Sequence, residues 1–141
     1  MRTRLSPDHS EALALARRLQ RADAVSAVQD RRVLLLYWYG SGATHLRQEQ
    51  QLLLDAWERH GGADHPLNAS IRAEHARLGA AIAAVAREPR PAPEQLRRVG
   101  RDLAAHMRRQ ELELSGVVER RVPAEELVTL AGGDLDTPLA R

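Results

Sequence analysis

The sequence predicts an all-α fold, an up-down antiparallel four-helix bundle with a short C-terminal helix. Three observations carry that expectation. Apolar residues recur every three or four positions through four segments. Turn residues fall between those segments, at Gly61-Gly62 and at Arg90-Pro91-Ala92-Pro93. The links are short, which makes neighbouring helices antiparallel. A chain of 141 residues is long enough to bury one core, so residues 1–131 are expected to form the bundle and 132–141 a flexible tail.

The elements follow in order. Ser6-Pro7-Asp8 has a capping hydroxyl, a proline for the first helical position and an acid at the positive end of the dipole. It opens helix 1, about 7–23, whose inward stripe is His9, Ala12, Leu13, Ala16 and Leu19. Ser26-Ala27-Val28-Gln29 has the form of a capping box and opens helix 2. With no turn signal before Gly61, the segment fits one long helix over about 27–60, with a stripe of Leu35, Trp38, His45, Glu49, Leu52, Leu53 and Ala56. Gly40-Ser41-Gly42 lies inside it, at about 1 kcal/mol per glycine relative to alanine. That marks either a kink or close packing, or space left one turn above His45 for a small ligand. Pro66 begins helix 3, with stripe Leu67, Ile71, His75, Leu78, Ile82 and Val85, which stops by Pro89. Helix 4 begins near Pro93-Glu94, with stripe Leu96, Val99, Leu103, His106, Gln110, Leu114 and Val117, and ends before Pro123. A short helix then runs from Pro123 to about Leu130.

Composition narrows the function classes. Cysteine is absent, so neither a disulfide framework nor a thiolate metal site is available. The net charge is +2 and every basic side chain other than histidine is arginine, interspersed with acids. That pattern reads as solvated helix faces and argues against nucleic-acid binding. No apolar run suits a membrane span, and Met1-Arg2-Thr3-Arg4-Leu5 leads into a helix signal, not a leader's apolar segment. A cytoplasmic protein is expected.

The histidines carry the chemistry. His45 and Glu49 are four apart, so on a helix they share one face. His9, His45, His75 and His106 occupy the inward stripes, one per helix. Burying an imidazole without a partner costs free energy, and one shared metal ion partners all four. His60 and His65 flank the glycine loop and are expected at the surface.

The pattern His9 … His45-x-x-x-Glu49 … Glu74-His75 … His106-x-x-x-Gln110-Glu111 resembles the hemerythrin-like, or HHE cation-binding, family, over about residues 5–130. The resemblance implies a bundle around a non-haem iron centre of one or two irons. His9, His45, His75 and His106 would be ligands and Glu49 a bridging carboxylate. Imidazole and carboxylate suit iron, and an open position would admit oxygen, nitric oxide or peroxide.

The chain departs from that pattern in places. A second bridging carboxylate is expected four residues after His106, where Gln110 stands. A neutral amide cannot bridge two cations as a carboxylate does. Glu111 is adjacent but about 100° round an α-helix; a π-bulge would swing it in. Position 79, four after His75, is glycine, so the site does not match the five-histidine oxygen-carrier set. His9 stands at the very start of helix 1, so residues 1–5 or the helix from Pro123 are expected to pack beneath it. The resemblance thus implies a protein that binds or senses oxygen, nitric oxide, peroxide or iron. The alternative is a bundle of the same ancestry that has lost its metal and serves as a regulatory or interaction module.

Overall fold

The computed structural model describes residues 7–129, with residues 7, 8, 41, 42 and 45 described by backbone alone. Among the described residues every regular element is helical. Helix α1 spans Pro7–Gln20, α2 Ala27–Trp38, α3 Ser41–Trp57, α4 Pro66–Ala86, α5 Pro93–Arg109 and α6 Ser115–Arg121. Two π turns, Glu58–Gly62 and Gln110–Leu114, extend α3 and join α5 to α6. Residues 124–129 form a further short helical stretch. No helix among the described residues is long and apolar enough to cross a membrane. Ser6 and the tail from residue 130, expected as a cap and a flexible end, lie outside the described residues, as do residues 1–5.

Side-chain contacts set the packing directions. The start of α1 meets the end of α5, where His9 approaches Gln110 and Glu111; its other end meets Gly100. A Cβ at Gly100 would lie 2.8 Å from both the Ala16 carbonyl oxygen and the Leu19 Cβ, so the two backbones touch there. Beside α3, α4 runs the opposite way: Asn68 Nδ2 and Arg72 donate to Glu58, and Arg72 Nη1 donates to Gln51. Arg31 of α2 donates to the Val85 and Ala86 carbonyls at 3.2 and 2.8 Å, tying α2 to the C-terminal end of α4, where carbonyls run out of helical donors.

The one long helix expected over 27–60 is two in the structure, divided at the glycine segment where a kink is one of the two readings. The chain leaves the helix at Tyr39 and Gly40, where Gly40 is extended (φ −93°, ψ −162°), and resumes at Ser41. A Cβ on Gly40 would sit 2.5 Å from the Leu36 carbonyl oxygen, so the break depends on glycine. It also resets the helical phase. The buried residues are Ala27, Asp30, Leu34 and Tyr37 on α2, then Ala43, Leu46, Gln50, Leu54, Ala56 and Trp57 on α3. Leu35 and Trp38 only border the core, and Leu52 is partly exposed. Helix 1 ends at Gln20, three residues earlier than the sequence suggested.

The expected capping box at Ser26 does not form. Ser26 Oγ donates instead to Asp30 Oδ2 at 2.7 Å and accepts from the Asp23 N–H at 3.0 Å. Asp23 takes over the capping task, accepting from the Val25 and Ser26 N–H groups at 2.9 Å. Asp30 is buried and also accepts from Arg18 Nε at 2.7 Å, which ties the start of α2 to the end of α1.

Two apolar clusters fill the interior. One gathers α1, α2, the start of α3, the end of α4 and α5, from Ala12 and Leu34 to Leu46, Leu78 and Met107. The other joins the end of α3, the start of α4 and α6, through Leu54, Trp57, Ile71, Leu114 and Val118. Leu127 packs on the second cluster, and Glu126 binds Arg59 and His60. The stretch 124–129 is therefore anchored to the end of α3, and the expected packing beneath the start of α1 is not among these contacts.

Candidate metal centre

The sequence places polar residues between these clusters on α1, α3, α4 and the segment joining α5 to α6. On α3, Glu49 and Gln50 separate Leu46 from Leu54; on α4, Glu74 and His75 separate Ile71 from Leu78. Gln110 lies between Met107 and Leu114, and His9 precedes Ala12. The result is a polar layer across the interior. His9, His106, Gln50 and Gln110 are buried, at 5, 4, 5 and 1% exposure.

His9 is the hub of one half of the layer. Its Nε2 lies 3.1 Å from Glu49 Oε2 and 3.5 Å from the Gln110 amide, and its Nδ1 lies 3.2 Å from Glu111 Oε1. Three helical segments thus bring one imidazole and two carboxylates together. Because carboxylates only accept, both ring nitrogens donate when both contacts are hydrogen bonds, and the ring is then an imidazolium. Burial works against that charge, but the hydrogen bonds and charges of Glu49 and Glu111 outweigh it, so the His9 pKa is raised above its ordinary value.

Glu111 reaches His9 because of the π turn. In an α-helix position 111 would be about 100° away from position 110. The turn Gln110–Leu114 inserts one extra residue, and the Gln110 carbonyl accepts both the Ser115 N–H and the Ser115 hydroxyl, the latter at 3.1 Å. Gln110 and Glu111 therefore both meet His9, on opposite edges of its ring.

The other half of the layer is the pair His75 and His106, with ring centroids 5.5 Å apart; Trp38 flanks His75 at 5.7 Å. His106 Nδ1 donates to Glu74 Oε1 at 3.0 Å. Arg109 holds the second oxygen of Glu74 and donates to Ser70 Oγ at 2.9 Å. With Nδ1 protonated, the lone pair of the His106 ring is on Nε2. Burial lowers the His106 pKa despite Glu74, and Arg109 adds to the lowering. Burial, followed by the charges of His106 and Arg47, lowers that of His75. Among the described residues, His75 Nδ1 and Gln50 Oε1 are buried without a hydrogen-bond partner.

Of the residues singled out from sequence, His9, Glu49, His75, His106, Gln110 and Glu111 lie in this layer. His45 stands on α3 one turn before Glu49; its side chain lies outside those described. Among the described residues, no three histidine, aspartate or glutamate side chains close into a ligand group. Glu49 and Glu111 face opposite nitrogens of His9, so the imidazole separates them. Sequence reasoning did not assign Glu74 and Arg109 to the site. Glu74 neighbours His75 in sequence but serves His106 of the next helix, a pairing that only the packing of α4 on α5 creates. Of the two loop histidines, His60 pairs with Glu126, and His65 caps α4 and lies tilted against Trp57, ring centroids 4.9 Å apart.

No protein-family model, curated protein or solved structure matches this chain. The reading of the site rests on its own residues.

Proposed function

We propose that the helices compose a four-helix bundle of the hemerythrin-like kind, with α2 and α3 as one broken rod and α5 and α6 as another, and that its polar layer holds non-haem iron, one or two ions per chain. The observation that carries this reading is the layer itself. Four helical rods each contribute polar residues at one level, between two dry clusters, where imidazoles and carboxylates need compensation. Iron would be held by His9, His45, Glu49, His75 and His106, with Gln110 on the same side of His9 as Glu49 and Glu111 behind the ring at Nδ1.

The donor chemistry fits such an ion. His106 donates its Nδ1 proton to a carboxylate fixed by an arginine, which orients the ring and leaves Nε2 for a metal. His9 stands in the same relation to Glu111, with Nε2 toward Glu49. The separation of 3.1 Å between His9 Nε2 and Glu49 Oε2 also suits two adjacent ligands of one ion, since donors about 2.1 Å from a metal at right angles lie about 3 Å apart. His75 Nδ1, without a partner among the described residues, is a further donor. When bound, the iron supplies reversible binding or reduction of oxygen, nitric oxide or peroxide. The chain orients the ligands, and Trp38 shields His75 on one side.

Anaerobic addition of Fe(II) to chelator-treated full-length protein tests this, with iron counted per chain and thermal unfolding followed. One or two retained irons are expected, with a stabilisation of about 2.7 kcal/mol at a free iron concentration of 100 Kd. A visible band with nitric oxide should accompany binding. Glu49→Gln and Glu111→Gln should each lower iron affinity at least tenfold. Absence of retained iron, with unfolding unmoved by Fe(II), refutes the proposal.

A second reading, a metal-free bundle acting as a regulatory or interaction module, is favoured by one observation. Both nitrogens of His9 already face carboxylates, so the protonated ring satisfies that half of the layer without an ion. Protons and metal compete for His9 Nε2, and iron uptake that falls steeply on acidification is the signature of the first reading.

A further inference from the structure

A cavity of about 460 Å³ lies at the far end of α3, lined by Trp57, His60, His65, Val117, Arg120 and Arg121 together with the backbone turn at Gly61. Trp57 is eight residues beyond Glu49, about 12 Å along the helix, so this is a place separate from the polar layer. The turn that builds it is fixed by sequence: Gly61 has φ 97°, a conformation that L side chains rarely adopt. Gly62 lies against the Trp57 ring with no room for a Cβ.

The lining has a definite chemistry. Arg120 and Arg121 are exposed, and among the described residues neither has an ion-pair or hydrogen-bond partner. Glu126, the acid beside the cavity, is already held by Arg59 and His60. His65 Nδ1 accepts from the Leu67 N–H at 3.1 Å, which puts the ring proton of the neutral tautomer on Nε2 as a donor. Val117 and the Trp57 indole supply an apolar wall. Two guanidiniums, an imidazole donor and an apolar surface match a small dianion carrying an organic group.

We propose that this cavity binds a small phosphate monoester, its phosphate on Arg120, Arg121 and His65 and its organic part against Val117 and Trp57. A phosphate monoester is close to doubly charged at neutral pH, and guanidinium forks suit its oxygens. The volume lies within the range of small-molecule sites. The site is independent of the iron reading.

Calorimetric titration of the full chain, with and without chelator, tests the proposal, using phenyl phosphate, inorganic phosphate and phenol as probes. Phenyl phosphate should bind saturably at one per chain and survive chelation, inorganic phosphate should bind more weakly, and phenol should not bind. Arg120→Gln with Arg121→Gln should weaken phenyl phosphate at least tenfold while circular dichroism is unchanged. In nuclear magnetic resonance spectra the Trp57 indole N–H should shift and that of Trp38 should not. No saturable binding, binding unaltered in the double variant, binding abolished by chelator, or a shift confined to Trp38 overturns the assignment.

Discussion

Gly100→Ala is the sharpest test of how α1 is seated, and through it of how His9 reaches the polar layer. A Cβ there would stand 2.8 Å from the Ala16 carbonyl oxygen, 2.8 Å from Leu19 Cβ and 3.0 Å from the Gln20 N. Two of these neighbours are backbone atoms of α1, which cannot rotate away, so the helices must separate by several tenths of an ångström. Overpacking of this kind costs about 1–3 kcal/mol, while alanine regains about 1 kcal/mol of helix propensity in the interior of α5. The net expectation is a loss of up to about 2 kcal/mol. Gly79→Ala is the control: its Cβ would meet only Trp38 Cζ2, at 3.7 Å, an ordinary contact. Propensity then acts alone, and a gain of up to about 1 kcal/mol is expected. Urea unfolding of the two variants beside the parent, followed by circular dichroism, gives both numbers. A Gly100→Ala protein as stable as Gly79→Ala would show that α1 and α5 do not approach as described. Since α1 carries His9, the same variant should also bind Fe(II) more weakly than Gly79→Ala does.

Other outcomes follow from the same geometry. In chelator, His9 and His75 should titrate on opposite sides of the ordinary histidine value near 6.5, His9 above it and His75 below, as ring-proton resonances will show; the reverse order refutes the paired geometry of His9. Stability follows with opposite signs. The contribution of His9, whose pKa folding raises, is fully present below its unfolded value and is lost as pH rises through its folded value. His75 and His106, whose pKa values folding lowers, add nothing above the unfolded value and destabilise as pH falls below it, because the unfolded chain then binds more protons. His9→Gln should therefore cost more stability at pH 6 than at pH 9, measured by urea unfolding at each pH. Asp30→Ala removes the acceptor shared by Arg18 and Ser26 and should cost about 1–3 kcal/mol, with Asp30→Asn milder; equal stability of the alanine variant and the parent would remove the role given to Asp30 in joining α1 to α2.

Much of this molecule was legible in the chain. Prolines 7, 66 and 93 each stand at the first position of a helix, because a fixed φ and a missing N–H suit that place. The apolar stripes of helices 3 and 4 were read from spacing, and the buried members Ile71, Leu78, Ile82, Leu96, Val99 and Leu103 follow it. So does the burial of His9 and His106 on those stripes. What spacing could not give was phase. Periodicity assumes an unbroken α-helix, and this chain departs from one at Gly40 and again at Gln110–Leu114. The first departure rotated the buried face of α2 and α3; the second brought Glu111 onto His9 and kept Gln110 beside it. No residue in Gln110–Leu114 demands a π turn by itself. The tertiary structure decides it, because α1 presents His9 at that level and the serine at position 115 takes the extra carbonyl. Which carboxylate serves which imidazole was likewise settled by helices meeting across space: Glu74 reaches His106 on a different helix, not the histidine beside it in sequence. The chain alone determined that imidazoles and acids lie inside helices, since that depends on local spacing; their pairing depends on the depth and rotation of each helix against its neighbours, which are properties of the packed molecule.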